Sequence, residues 1–171
     1  MFHDEQEIFG TGQVRSIQTM EFQQTLFPTT PQAAQEAGIL YFDYLNHLYP
    51  PFVRIRYQDN GGVEIRALGI TLLSFDTPRV LTGRDVVAIR YPIRAGALVQ
   101  RAQRRTGELR FEIRPRRLVM AVEGYYSALI GPGGSEWRKS LFERTQGRIH
   151  LRVAEGFLDE LAGRLAMGRR P

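Results

Sequence analysis

The chain has 171 residues and a mass of 19.6 kDa, and its 43% hydrophobic and 11% aromatic content suits one domain with a single core. It contains no cysteine, which excludes disulfides, cysteine–zinc sites, iron–sulfur clusters and thiol nucleophiles. The formal charge of +5 is local: residues 101–117 hold seven arginines against Glu108 and Glu112, and the remainder balances.

The basic residues are 22 arginines and one lysine, Lys139, a bias that GC-rich coding explains without a ligand. No run approaches the roughly 18 apolar residues of a membrane span. The first residues, Met1 to Glu7, are acidic where a signal peptide is basic and then apolar. The expectation is one cytoplasmic domain over 1–171, with residues 1–6 and 168–171 fraying.

In chain order, Glu7 to Gln24 is rich in Thr, Val, Ile and Phe between polar residues and reads as a strand with imperfect alternation. Thr30 followed by Pro31 predicts a helix start, and Ala33, Ala37, Leu40, Tyr41, Tyr44, Leu45 and Leu48 keep a helical period until Pro50-Pro51. The period then becomes two. Val53, Ile55 and Tyr57 alternate with Arg54 and Arg56; Asp59-Asn-Gly-Gly supplies a turn; Val63, Ile65 and Ala67 follow. Further strands are expected at Gly69–Phe75, around Val87, Ile89, Tyr91 and Ile93, around Leu109, Phe111 and Ile113, and over Arg117–Tyr126 with Leu118, Met120 and Val122 on one face. After the break at Gly131-Pro-Gly-Gly, Ser135 predicts the cap of a long helix reaching about Met167. Its apolar face is wide, and Gly147, Gly156 and Gly163 inside it point to close approach or a bend.

This order of strand, helix, antiparallel strands and long terminal helix resembles the helix-grip fold of the START, Bet v 1 and polyketide-cyclase-like superfamily. The Asp59-Asn-Gly-Gly turn loosely matches the glycine-rich loop of its plant members, and the usual second short helix has no counterpart pattern. The resemblance implies an α+β domain. It implies a curved antiparallel sheet of about six to seven strands wrapped around the terminal helix, one helix after the first strand, and a cavity between sheet and terminal helix for a hydrophobic small molecule.

The residues argue for such a cavity in their own way. Tyr57, Ile89, Tyr91, Phe111, Met120 and Tyr126 should face the terminal helix, with Phe157 and Leu161 opposite, and aromatics with polar tips suit a pocket. The same residues equally describe a packed core. For chemistry, His3, His47 and His150 have no metal-ligand spacing, no Gly-x-Ser-x-Gly or phosphate-loop motif occurs, and no cofactor is implied. Asp43 belongs to a solvated helix face, and Glu64 and Glu123 to the outer sheet face by parity, which leaves no acid–base pair. His150, between Ile149 and Leu151, belongs at the edge of the helix's buried face.

Three function classes remain. The first is non-catalytic binding of a hydrophobic or amphipathic small molecule. The second is an interaction or anion-binding module in which Arg101, Arg104 and Arg105 meet an acidic protein or anionic headgroup. The third is a cyclase- or hydratase-like enzyme on the same fold. Nucleic acid is disfavoured, since Phe111 falls on the apolar side and no exposed aromatics interleave the arginines.

Overall fold

A computed structural model describes residues 1–24, 26–131, 135, 138, 140 and 148–167. Nine strands lie among them: β1 (Phe2–Ile8), β2 (Gln13–Glu21), β3 (Val53–Tyr57), β4 (Val63–Ala67), β5 (Ile70–Phe75), β6 (Arg79–Thr82), β7 (Val87–Ala95), β8 (Glu108–Arg114) and β9 (Arg117–Tyr126). Two long helices join them, α1 (Pro31–Leu48) and α2 (Arg148–Met167). The strands form one curved antiparallel sheet in the order β1-β2-β9-β8-β7-β5-β4-β3, with β6 paired to β7.

The mixed α+β class is as expected; the strand count is higher. The single strand expected over Glu7–Gln24 is β2, and β1 precedes it as the other arm of a hairpin. Residues 2–6, expected to belong to a frayed tail, are part of β1, which pairs with β2 from Phe2↔Met20 to Ile8↔Val14. The added strand β6 is short, follows Pro78 and shows no alternation to announce it. Residues 168–171 and, between 136 and 147, all but 138 and 140 lie outside the described residues. Among those described, the Ser135 carbonyl accepts a hydrogen bond from the Arg138 N–H at 3.0 Å.

Local chemistry explains the elements. Thr30 Oγ1 accepts from the Ala33 N–H at 3.2 Å and Pro31 opens the first turn of α1. Ala33, Ala34, Ala37 and Gly38 form a low ridge that lets the sheet approach. Gly38 is required there, since a Cβ would collide with the Tyr91 hydroxyl. Gly156 plays the same part in α2 against the Tyr44 ring, whereas Gly163 meets nothing and Gly147 lies outside the described residues.

The core fills the concave side of the sheet beneath both helices. Helix α1 packs on β3, β6, β7 and β8; helix α2 packs on β2, β9 and α1. The convex side carries charge, with Arg110 bridging Glu112 and Glu123 and Arg114 joining Glu112. Ala88 and Ala121, opposite Glu112 and Arg110, are buried although they face outward, because those long side chains lie across them.

Candidate functional site

Ile89, Tyr91, Phe111, Met120, Phe157 and Leu161 are all buried. Their rings pack on one another and on α1: Tyr41–Phe111 centroids are 4.9 Å apart, Phe42–Tyr91 5.1 Å, Phe111–Phe157 5.2 Å and Tyr41–Phe157 5.3 Å. Separations and tilts of this kind are those of a filled aromatic core. Tyr57 is half-exposed at the edge strand, where its hydroxyl meets Asp43 and its pKa is raised by burial and by that carboxylate.

Tyr126 is displaced from the expected face by one residue. Val14 pairs with Tyr125 but Ser16 pairs with Val122, so β9 holds an extra residue at Glu123–Gly124, and Gly124 takes φ +66°. This bulge reverses the parity established by Leu118, Met120 and Val122, and turns Tyr125 inward instead.

The cavity lies beside the aromatic core, between the sheet and the start of α2, and measures about 70 Å³. Leu73, Phe75, Ile93, Leu109 and Val122 make an apolar wall, and Gln6, Ser16, Tyr125 and His150 add polar groups. None of the eight residues expected to line a pocket borders this cavity, and Leu161 borders a separate groove of about 150 Å³ between the two helices. Exposed Gln6 puts the cavity's mouth at the β1–β2 hairpin.

The polar corner comes from the inward faces of β1 and β2. Val14, Ser16, Gln18 and Met20 are buried in strict alternation, opposite Ile8, Gln6, Asp4 and Phe2. Gln18 Nε2 donates to Asp4 Oδ1 and to Ser16 Oγ, both at 2.7 Å. The Tyr125 hydroxyl donates to the Leu98 carbonyl at 2.6 Å. Two side-chain atoms of this corner are buried with no hydrogen-bond partner, Gln18 Oε1 and His150 Nε2. An orphaned buried polar atom carries a desolvation penalty that a ligand or water relieves. Burial lowers the His150 pKa from 6.5 to about 4 against the opposing pull of Asp4, so the imidazole is neutral at pH 7.

Polar residues at buried parity, in the run Val14-Arg-Ser16-Ile-Gln18-Thr-Met20, were the available sign of this corner. They also made the alternation look imperfect.

The other candidates lie apart from it. His47 Nδ1 sits 2.7 Å from the Asp43 carbonyl near the end of α1, and His3 and Asp43 are exposed. Glu64 accepts from Gln58 at 2.9 Å, and Glu123 from Arg110 at 3.1 Å. Among the described residues no cluster of three His, Asp or Glu could hold a metal ion.

Arg101, Arg104 and Arg105 are exposed around a 3₁₀ turn, Arg101–Gln103, and make no ion pair among the described residues. Arg101 and Arg104 border an open groove of about 710 Å³ with Gln100 and Arg138. The arginine-rich segment therefore holds paired convex-face residues (Arg110, Arg114, Arg117), this exposed turn, and Arg116 in the β8–β9 turn.

No family model matches the chain, and no curated protein or solved structure matches it either.

Proposed function

We propose that the protein binds a small amphipathic molecule in the cavity between the sheet and α2. The molecule's apolar part lies against Leu73, Phe75, Ile93 and Leu109, and its polar atom meets His150 and Ser16. The observation that carries this reading is a cavity whose rim holds a buried Nε2 without a protein partner. A volume of about 70 Å³ is small beside the roughly 300–1,000 Å³ of pockets that enclose drug-sized ligands. The occupant is therefore a molecule of few heavy atoms, or the narrow end of a longer one entering past Gln6. A neutral imidazole in an apolar wall favours an uncharged polar group such as a hydroxyl or carbonyl. The path β2-β9-β8-β7-β5-β4-β3, with α1 between β2 and β3 and α2 at the end, supports the helix-grip resemblance. The convex-face pairing of Glu64 and Glu123 leaves them no part in the cavity, which favours binding over turnover.

Native mass spectrometry of the purified protein, followed by thermal shifts against a panel of small alcohols, phenols and carbonyl compounds, tests the reading. Compounds that bind should raise the melting temperature of wild type and of Tyr126→Phe, and not of Ser16→Val or His150→Leu. Equal stabilisation of all four proteins would place binding elsewhere.

A second reading rests on the exposed Arg101/Arg104 groove, which would take an acidic partner. Binding of a polyanion that weakens with salt and is lost in Arg101→Glu/Arg104→Glu/Arg105→Glu supports it; unchanged binding removes it.

A further inference from the structure

At the sheet edge opposite the β1–β2 hairpin, the convex side of β3 and β4 ends in an arrangement that folding alone does not favour. Register Val53↔Ala67 and Arg54↔Arg66 sets Arg54 directly across from Arg66 and brings Phe52 beside Leu68. Like charges directly opposite each other destabilise a strand pair. Neither arginine makes an ion pair among the described residues, in contrast to Arg110, Arg114 and Arg117 on the same face. Arg66 Nη2 is spent on the Gly69 carbonyl at 2.9 Å, while its Nε is buried without a partner.

The apolar side chains are equally costly. Phe52 is 62% exposed, Leu68 82% and Ile70 57%. Leu68 and Gly69 occupy the β4–β5 turn with φ of +49° and +82°, a two-residue turn that asparagine–glycine fits and leucine does not. Pro51, Phe52, Arg54, Arg66, Leu68 and Gly69 surround one shallow depression of about 370 Å³.

We propose that this tip docks on an anionic phospholipid surface, with Phe52 and Leu68 entering the interfacial region and Arg54 and Arg66 holding lipid phosphates. Such a surface accepts apolar side chains and neutralises opposed cations in one contact, which water does not. A second copy of the chain is a poor occupant, since a two-fold contact through this patch would gather four arginines. The site is separate from the cavity, whose mouth lies at the other edge of the sheet.

Flotation of the full chain with vesicles of phosphatidylcholine alone, and with about 30% phosphatidylserine added, tests the proposal. The protein should float with the anionic vesicles only and dissociate as salt rises. Arg54→Gln and Arg66→Gln should each lower the partition coefficient about fivefold. Leu68→Asn should lower it about fivefold or more while leaving the melting temperature unchanged or higher, because asparagine accepts the left-handed turn. Reversing Arg101, Arg104 and Arg105 together should leave flotation intact. Absence of flotation overturns the proposal, and so does equal flotation without phosphatidylserine. Displacement by inorganic phosphate overturns it in favour of a soluble anion, and a shift from dimer to monomer in Leu68→Asn overturns it in favour of self-association.

Discussion

His150 is the residue in which the folded structure and its solvent are most clearly linked. The unfolded chain takes up a proton at this imidazole near pH 6.5, whereas the folded chain does so only near pH 4. Between those values the unfolded state holds more protons, so stability falls as pH drops from 6.5 towards 4, and above pH 6.5 this loss is absent. Asp4 faces the ring and limits the effect, which has an upper size of about 3 kcal/mol. Urea unfolding of wild type and His150→Leu across this range should show the variant gaining stability relative to wild type as pH falls; parallel curves would show a solvated imidazole. The aromatic residues behave differently. Tyr91 and Phe111 are buried among other rings, and replacing either with alanine should cost about 3–5 kcal/mol in urea unfolding. A cost below about 1 kcal/mol would mean that they border free space.

Element boundaries follow from patterns that act over a few residues, and for this reason α1, the β3–β4 hairpin, β5 and β7 to β9 were legible in the sequence. Thr30-Pro31 caps, Pro50-Pro51 stops, and period-two alternation needs no knowledge of the rest of the fold. What escaped was set by partners far along the chain. The expected first strand is one arm of a hairpin because Phe2 to Ile8 pairs with it as β1, and β2 looked irregular because Ser16 and Gln18 point inward to Asp4 and the cavity. The inward set of β9 was read correctly as far as Val122, and then the bulge exchanged Tyr126 for Tyr125. Gly124 makes that exchange possible. A Cβ there would lie 2.5 Å from the Thr106 carbonyl oxygen, and its φ of +66° disfavours other residues. Gly124→Ala should therefore cost about 1–3 kcal/mol and perturb Tyr125 in near-ultraviolet dichroism. A neutral substitution would mean that the bulge is not needed to seat Tyr125.

At the scale of the molecule, a nine-stranded sheet presents two unlike faces. The convex face is an arginine–glutamate lattice whose outer pairs, such as Arg90–Glu108 and Arg117–Glu21, are exposed enough to contribute only about 0–1 kcal/mol each, and it breaks at Arg101–Arg105 and at Arg54/Arg66. The concave face carries the packed aromatic core and, where β1, β2 and α2 meet, the small cavity. Few parts of that cavity could be read ahead, because its wall takes one or two residues from each of six strands and one from each long helix, and only the assembled sheet brings them together. The most direct test is the ¹⁵N chemical shift of the His150 imidazole during titration with the small alcohol, phenol and carbonyl panel at pH 7. Binding in the cavity predicts that compounds raising the melting temperature also shift the His150 Nε2 resonance, and that Ser16→Val weakens both responses together. A stabilising compound that leaves that resonance unmoved, or a panel that neither stabilises the protein nor shifts it, would contradict a ligand site at this corner.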